Sequence, residues 1–219
     1  RPTTEPLPSL RRWPIQGIIA CLRDERVTAT IEASGLPVVA VGDTGHEGLP
    51  QGTPYVGTDD ERVVGLAFDH LRERGLVNFA YYGAPAGTGS HWSTVRGDCF
   101  AALVTSAGRT CARWVATPGS RVEPDEGLCR WLAGLPIPVG ILACADEYAV
   151  GLVAACTAVG LRVPHDVALV GIDNDDLQCD LVKPSLTSIA HAARQIGFEA
   201  ARLLDGRFAR PRPDRHTAC

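Results

Sequence analysis

Gly140-Ile-Leu-Ala-Cys-Ala-Asp-Glu-Tyr-Ala-Val-Gly151 and, one helical run later, Val167-Ala-Leu-Val-Gly-Ile-Asp-Asn-Asp-Asp176 are built alike. In each, an apolar run of strand length (Val139 to Ala143, Val167 to Ile172) ends directly on acidic residues. Two such strands joined by one helix read as a parallel βαβ unit, and open α/β sheets hold their ligands just beyond the carboxyl ends of the strands. Asp146 and Asp173 fall at that place. An ionised carboxylate offers several lone pairs and no donor, which suits the hydroxyls of a polar small ligand.

Outward from this stretch the same alternation recurs. Gly17 to Cys21 reads as a strand, Asp24 to Ser34 as a helix stopped by Gly35, and Val38 to Val41 as a buried strand before a Gly/Pro-rich loop reaching Pro54. Asp59 is the expected N-cap of a helix to Arg74 that Gly75 ends. Strands follow at Phe79 to Tyr82 and near Arg113 to Val115, and helices at Trp92 to Ser106 and Pro124 to Ala133. After Val167 to Ile172 come a short extended piece, Leu186 to Ile189, and a helix from Ala192 to Leu204 closed by Gly206. The reading is α/β with two lobes, each a doubly wound parallel sheet: residues 1–84 with 188–206, and 85–187 with 207–219. Crossings are expected near Gly83 to Gly89, Asp180 to Ser188 and after Gly206, with the last helix returning to the first lobe. A βα unit before Gly17 is expected to be missing, and the absence of Met in 219 residues leads to the expectation of a piece of a longer chain.

Composition bounds the function. Apolar residues make up 45% and charged ones 21%, enough for a true core. Net charge is −4 and Lys183 is the single Lys, so nothing draws the chain as a whole to nucleic acid; specific DNA binding by this chain alone is not expected. The Arg- and Pro-containing tail from Arg207 to Arg215 reads as a solvated linker. No apolar run approaches the ~20 residues of a membrane span, and the first residues do not resemble a signal peptide. Eight Cys occur without a Cys-x-x-Cys pair or finger-like His spacing, so no structural zinc is expected; scattered thiols fit a reducing cytoplasm.

The Gly83-Ala-Pro-Ala-Gly-Thr-Gly-Ser90 loop lacks the Lys of a phosphate-binding loop and the third Gly of a dinucleotide fingerprint, and reads as a flexible connection. Trp92 and Arg96, four apart, share a helix face. They are either a core Trp under a surface cation or an aromatic platform with a forked donor for a sugar, and their place at a loop-to-helix junction favours the second. Asp60 and Asp146 are each either helix-terminal or ligand-binding. Four consecutive Asp and Asn residues, Asp173 to Asp176, repel one another and call for compensation by helix termini, Arg96 or a ligand. No Gly-x-Ser-x-Gly elbow or Cys–His pairing stands out for an enzyme.

Gly17-Ile-Ile-Ala20, Val56-Gly-Thr-Asp-Asp-Glu61, His70-Leu-Arg-Glu-Arg-Gly75, Phe79-Ala-Tyr-Tyr-Gly83, Trp92-Ser93, Arg96-Gly97, Leu142-Ala-Cys-Ala-Asp146, Val163-Pro164, Val170-Gly-Ile-Asp-Asn-Asp175, Pro184-Ser-Leu-Thr-Ser188 and Ile196-Gly-Phe-Glu-Ala200 form an ordered series. With these residues the chain resembles the effector-binding module of the lactose-repressor and periplasmic-sugar-binding superfamily, most nearly the sugar-sensing part of XylR-like (xylose operon) regulators. The resemblance, from Trp13 to Leu204, implies a two-lobed periplasmic-binding-protein-like fold and no enzymatic activity. It implies effector contacts from Arg96, Asp173 and Asn174, with Asp60 and Trp92 lining a cleft and Asp146 among the candidates. It further implies a monosaccharide effector, no cofactor, a cytoplasmic homodimer, no membrane contact, and DNA contact only through a helix-turn-helix module not found here. Relatives usually have Asn where Ala145 stands and often have it at Asp60. The rival reading is the sugar-binding component of a transporter.

Overall fold

A computed structural model describes residues 10, 13–22, 25–42, 49–85, 87, 90–118 and 125–208. The chain folds as α/β with parallel sheets, as expected, and divides into two compact units: Arg1–Thr58 with Ala192–Cys219, and Asp59–His191.

The first unit holds β1 (Ile18–Ala20), α1 (Glu25–Ser34), β2 (Val38–Gly42), β3 (Tyr55–Gly57) and α7 (Ala193–Phe208), its three parallel strands in the order β1-β2-β3. Its small core gathers Leu22, Ile31 and Ala40, with Ile18, Val27, Val38 and Tyr55 packed against them. The last helix does return to this unit and packs on all three strands. A Cβ on Gly17 would lie 2.9 Å from side-chain atoms of both Leu204 and Phe208, so these would have to shift to admit one.

The second unit holds α2 (Asp60–Glu73), β4 (Asn78–Gly83), α3 (His91–Ser106), β5 (Cys111–Val115), α4 (Glu126–Ala133), β6 (Val139–Ala143), α5 (Asp146–Ala158), β7 (Val167–Ile172), α6 (Asp176–Leu181) and β8 (Thr187–Ile189). Its five strands are all parallel in the order β5-β4-β6-β7-β8. From β4 the chain steps out to β5 and then returns past β4 to β6, so the winding direction reverses between β4 and β6. Helices α2 and α3 pack together, as do α4 and α5. Phe68, Phe79 and Phe100 meet beneath α2 and α3 with ring centroids 5.3 to 6.4 Å apart.

The sheets correct the expected lobe boundaries. β4, assigned above to the first lobe, is hydrogen-bonded between β5 and β6, and α2 packs on α3, β6, β7 and β8. The units therefore part at 58/59 and 191/192, rather than at 84/85 and 187/188. Three residues of the expected Gly83 to Gly89 crossing, and 209–219 of the tail, lie outside the described residues, as do Asp24 and Pro124. Gly206 does not close the last helix, which continues through it to Phe208. Two short elements were not anticipated. β3 has three residues within a Gly/Pro-rich stretch, and α6 has six that open on the acidic run.

Candidate functional site

All six candidate residues belong to the second unit, and they form two groups near the carboxyl ends of its strands. The first is built on α3. Its opening turn is tied to the end of β4: the Ala84 N–H donates to Ser93 Oγ at 2.9 Å, and the Tyr81 hydroxyl donates to the Ser93 carbonyl at 2.5 Å. Gly97 leaves the room that Tyr81 needs, since a Cβ there would meet its ring at 2.6 Å. So anchored, α3 buries Trp92, Arg96 and Phe100, each four residues after the last.

Arg96 is not a surface cation. It is 1% exposed, with its guanidinium carbon 4.8 Å from the centroid of the Trp92 ring. Its Nε donates to Asp60 Oδ1 at 2.7 Å and its Nη1 to the Cys144 carbonyl at 2.8 Å. Asp59 takes the N-cap of α2, accepting from Arg62 N–H at 3.0 Å, and Asp60 in the first turn meets Arg96. Because Cys144 directly follows β6 and Ala84 directly follows β4, Arg96 lies across the point where the winding reverses. Open α/β sheets bind ligands at such switch points. Burial pushes the Cys144 thiol up to about 12, so it stays protonated and is no nucleophile.

The second group surrounds the turn after β7. Asp173 and Asn174 both take positive φ, 128° and 54°. Such conformations cost side-chain-bearing residues of order 1–3 kcal/mol each and persist only where the surroundings over-determine them. Here Asp173 N–H donates to the Ile189 carbonyl at 3.0 Å, Asn174 N–H to Ser188 Oγ at 3.0 Å and Asp175 N–H to Asp146 Oδ2 at 2.9 Å. The acidic run is compensated in part by local partners. Asp175 caps α6 by accepting from the Leu177 and Gln178 N–H groups, and Asp173 Oδ1 lies 3.4 Å from His191 Nδ1.

Asp146 does not cap α5, whose N-cap position is Ala145. Its side chain is 0% exposed and taken up by protein groups: Ser188 Oγ donates to Oδ1 at 2.6 Å, and Oδ2 accepts from Asp175 N–H. Sequence reasoning missed Ser188 and the Cys144 carbonyl. No local sequence signal marks Ser188, because its place beside Gly171 is set by the pairing of β8 with β7.

Burial raises the Asp146 carboxyl above the usual range, against the hydrogen bonds from Ser188, Asp175 and Cys179 that lower it. With its folded-state pKa above the unfolded one, its contribution to stability is complete below the unfolded pKa, about 4, and is lost as pH rises through the folded value. The stability of wild type minus that of Asp146→Asn should therefore fall as pH rises from about 4 through that value. Urea titrations at several pH values check this; a difference that grows over that range contradicts it.

A family model described as a periplasmic binding protein-like domain matches residues 68–218. The chain belongs to that family. Among its curated relatives, the xylose operon regulatory protein of Escherichia coli (strain K12) is 33% identical over 204 residues, which are 89% of this chain and 51% of that protein. The chain thus spans about half the length of the curated relatives it matches. Among solved structures, that of the xylose-binding transcription activator xylR aligns with a TM-score of 0.75 at 30% identity, covering 91% of this chain and 53% of that one. A LacI family transcriptional regulator from Mycobacterium smegmatis aligns at 0.72 and 25% identity, covering 92% and 73%. These relatives are transcription regulators, not enzymes. Among the described residues of this periplasmic binding protein-like chain, no cluster of three His, Cys, Asp or Glu could hold a metal, and no helix is long and apolar enough to cross a membrane.

Proposed function

We propose that this chain is the effector-sensing part of a bacterial, cytoplasmic, sugar-responsive transcription regulator, and that it holds a monosaccharide with Asp60, Trp92, Arg96, Asp173 and Asn174. The observation that carries the reading is Arg96 at the winding reversal, gripped by Asp60, the Cys144 carbonyl and the Trp92 ring. An aromatic face beside charged acceptors and a forked donor matches the apolar face and hydroxyl rim of a sugar ring. The relatives named for xylose regulation make a pentose the first choice. Asp146 has no ligand contact in this reading, because both oxygens of its carboxylate are taken up, by the Ser188 hydroxyl and the Asp175 N–H. Ala145 offers the ligand no side-chain hydrogen bond, so discrimination between sugars rests on Asp60, Arg96, Asp173 and Asn174.

A ligand moves a conformational equilibrium only by binding one state better than the other. Contacts from Asp173, in the turn after β7, and from Arg96, on α3, supply that difference in this reading. The resulting shift is passed to a DNA-binding module outside this chain, in a homodimer. All seven described Cys are free thiols, in keeping with a regulator kept in a reducing compartment rather than an exported transport component.

Calorimetric titration with D-xylose, D-ribose and L-arabinose tests the reading. Saturable binding of at least one pentose is expected, with Asp173→Ala weakening it by roughly ten- to a hundred-fold, the loss of a charge-assisted hydrogen bond. Pentose binding undiminished by Asp173→Ala, or no binding of any of the three, overturns it.

A further inference from the structure

The proposed sugar contacts include Asp173 and Asn174, whose positive φ values set the direction of both side chains. Asn174 tolerates its left-handed φ of 54°, but Asp173 at 128° does not take such a backbone by itself, so something must hold the turn. The hydrogen bonds around the turn converge on Ser188 and on Asp146, the candidate whose carboxylate is taken up by protein groups. Ser188 Oγ accepts from Asn174 N–H at 3.0 Å and donates to Asp146 Oδ1 at 2.6 Å. A hydroxyl can do both at once, with one donor and two acceptor sites. The other Asp146 oxygen accepts from Asp175 N–H at 2.9 Å. One buried carboxylate thus fixes residue 175 directly and residue 174 through a single hydroxyl.

The fold makes room for this arrangement. Asp146 begins α5, just past the end of β6; Gly171 is on the neighbouring β7; Ser188 is on β8 and paired with Gly171. A Cβ on Gly171 would lie 2.1 Å from Asp146 Oδ1. The carboxylate therefore occupies the space of the absent side chain to reach Ser188. The ends of three adjacent strands are laced together at the turn, and a buried charge is kept where an apolar residue would pack at lower desolvation cost.

We infer that Asp146 and Ser188 are positioning residues: a clamp that holds the Asp173–Asn174 turn in the conformation that receives the effector. The inference rests on the sugar-binding reading for its ligand and on the turn geometry for its mechanism. Ser188 and Asp146 act through the turn and touch no ligand.

The decisive variants are Ser188→Ala, which removes one hydroxyl from a half-buried position, and Ser188→Thr, which restores it. In the ligand-free chain, Ser188→Ala should speed amide hydrogen exchange at Asn174 by about ten-fold or more, since its acceptor is gone. Affinity for D-xylose should fall by about ten-fold, alongside a fall of a few degrees in melting temperature from leaving Asp146 Oδ1 without its Ser188 donor. Ser188→Thr should return exchange and affinity toward wild type. A merely structural Ser188 gives a lowered melting temperature with affinity intact, and that intact affinity overturns the clamp. Unchanged exchange at Asn174 overturns it as well. If the wild-type chain takes up no D-xylose, the choice of sugar fails, and the clamp stands or falls on the exchange rates of the two variants.

Discussion

Replacing Arg96 with Ala should abolish effector binding, by more than about a hundred-fold, and cost roughly 2–4 kcal/mol of folding stability. Removing one member of a buried ion pair typically costs about 3–5 kcal/mol, because the other is left charged without compensation. Here the Asp60 side chain is 13% exposed, so water relieves part of that penalty. The Cys144 carbonyl loses its Arg96 donor, and the Trp92 ring loses the cation above it. Arg96→Lys is the informative companion. It keeps the charge but has no planar fork to serve Asp60 and the Cys144 carbonyl together, so it should recover part of the stability and little of the affinity. Urea unfolding and D-xylose calorimetry measure the two quantities separately. An Arg96→Ala chain that is destabilised yet binds as tightly as wild type would make the guanidinium a structural strut and remove it from the site.

Much of this was legible in the sequence where a local signal existed. The strand Val167–Ile172 and the cap at Asp59 were read as they stand, since an apolar run ending on charge and an Asp before an amphipathic run are short-range patterns. The shared helix face of Trp92 and Arg96 was legible, but the partner of Arg96, Asp60, lies 36 residues earlier on another helix. Asp146 shows the same limit more sharply. The sequence places a carboxylate after a strand, and whether it faces a ligand or runs inward to a neighbouring strand depends on Gly171. The lobe boundary was misplaced for a related reason. The β3-to-α2 step looks like any other strand-to-helix step, and only strand pairing reveals that the chain changes sheets there. The ligand roles given to Asp60, Trp92, Arg96, Asp173 and Asn174 remain proposals, resting on geometry and kinship.

Phe100→Ala should be the most destabilising single truncation in the second unit, at about 3–5 kcal/mol. Phe100 is 0% exposed, and its ring packs edge-on against both Phe68 and Phe79 and beside Tyr81. The cost combines lost burial with a cavity that these large, fixed rings cannot readily close, and for a domain of this size each kcal/mol lowers the melting temperature by about 2–4 °C. Leu66→Ala, on the exposed side of α2, is the control and should move stability by less than about 1 kcal/mol. Phe100 also lies one turn beyond Arg96 on the same face of α3, so it tests how the helix holds the site. Ser93 ties the first turn of α3 to Ala84 and Tyr81 independently of Phe100. Affinity measured well below the melting temperature should accordingly fall only a few-fold, far less than for Arg96→Ala. Equal losses of affinity in the two variants would mean that the core under α3, and not the anchored first turn, sets the position of the guanidinium.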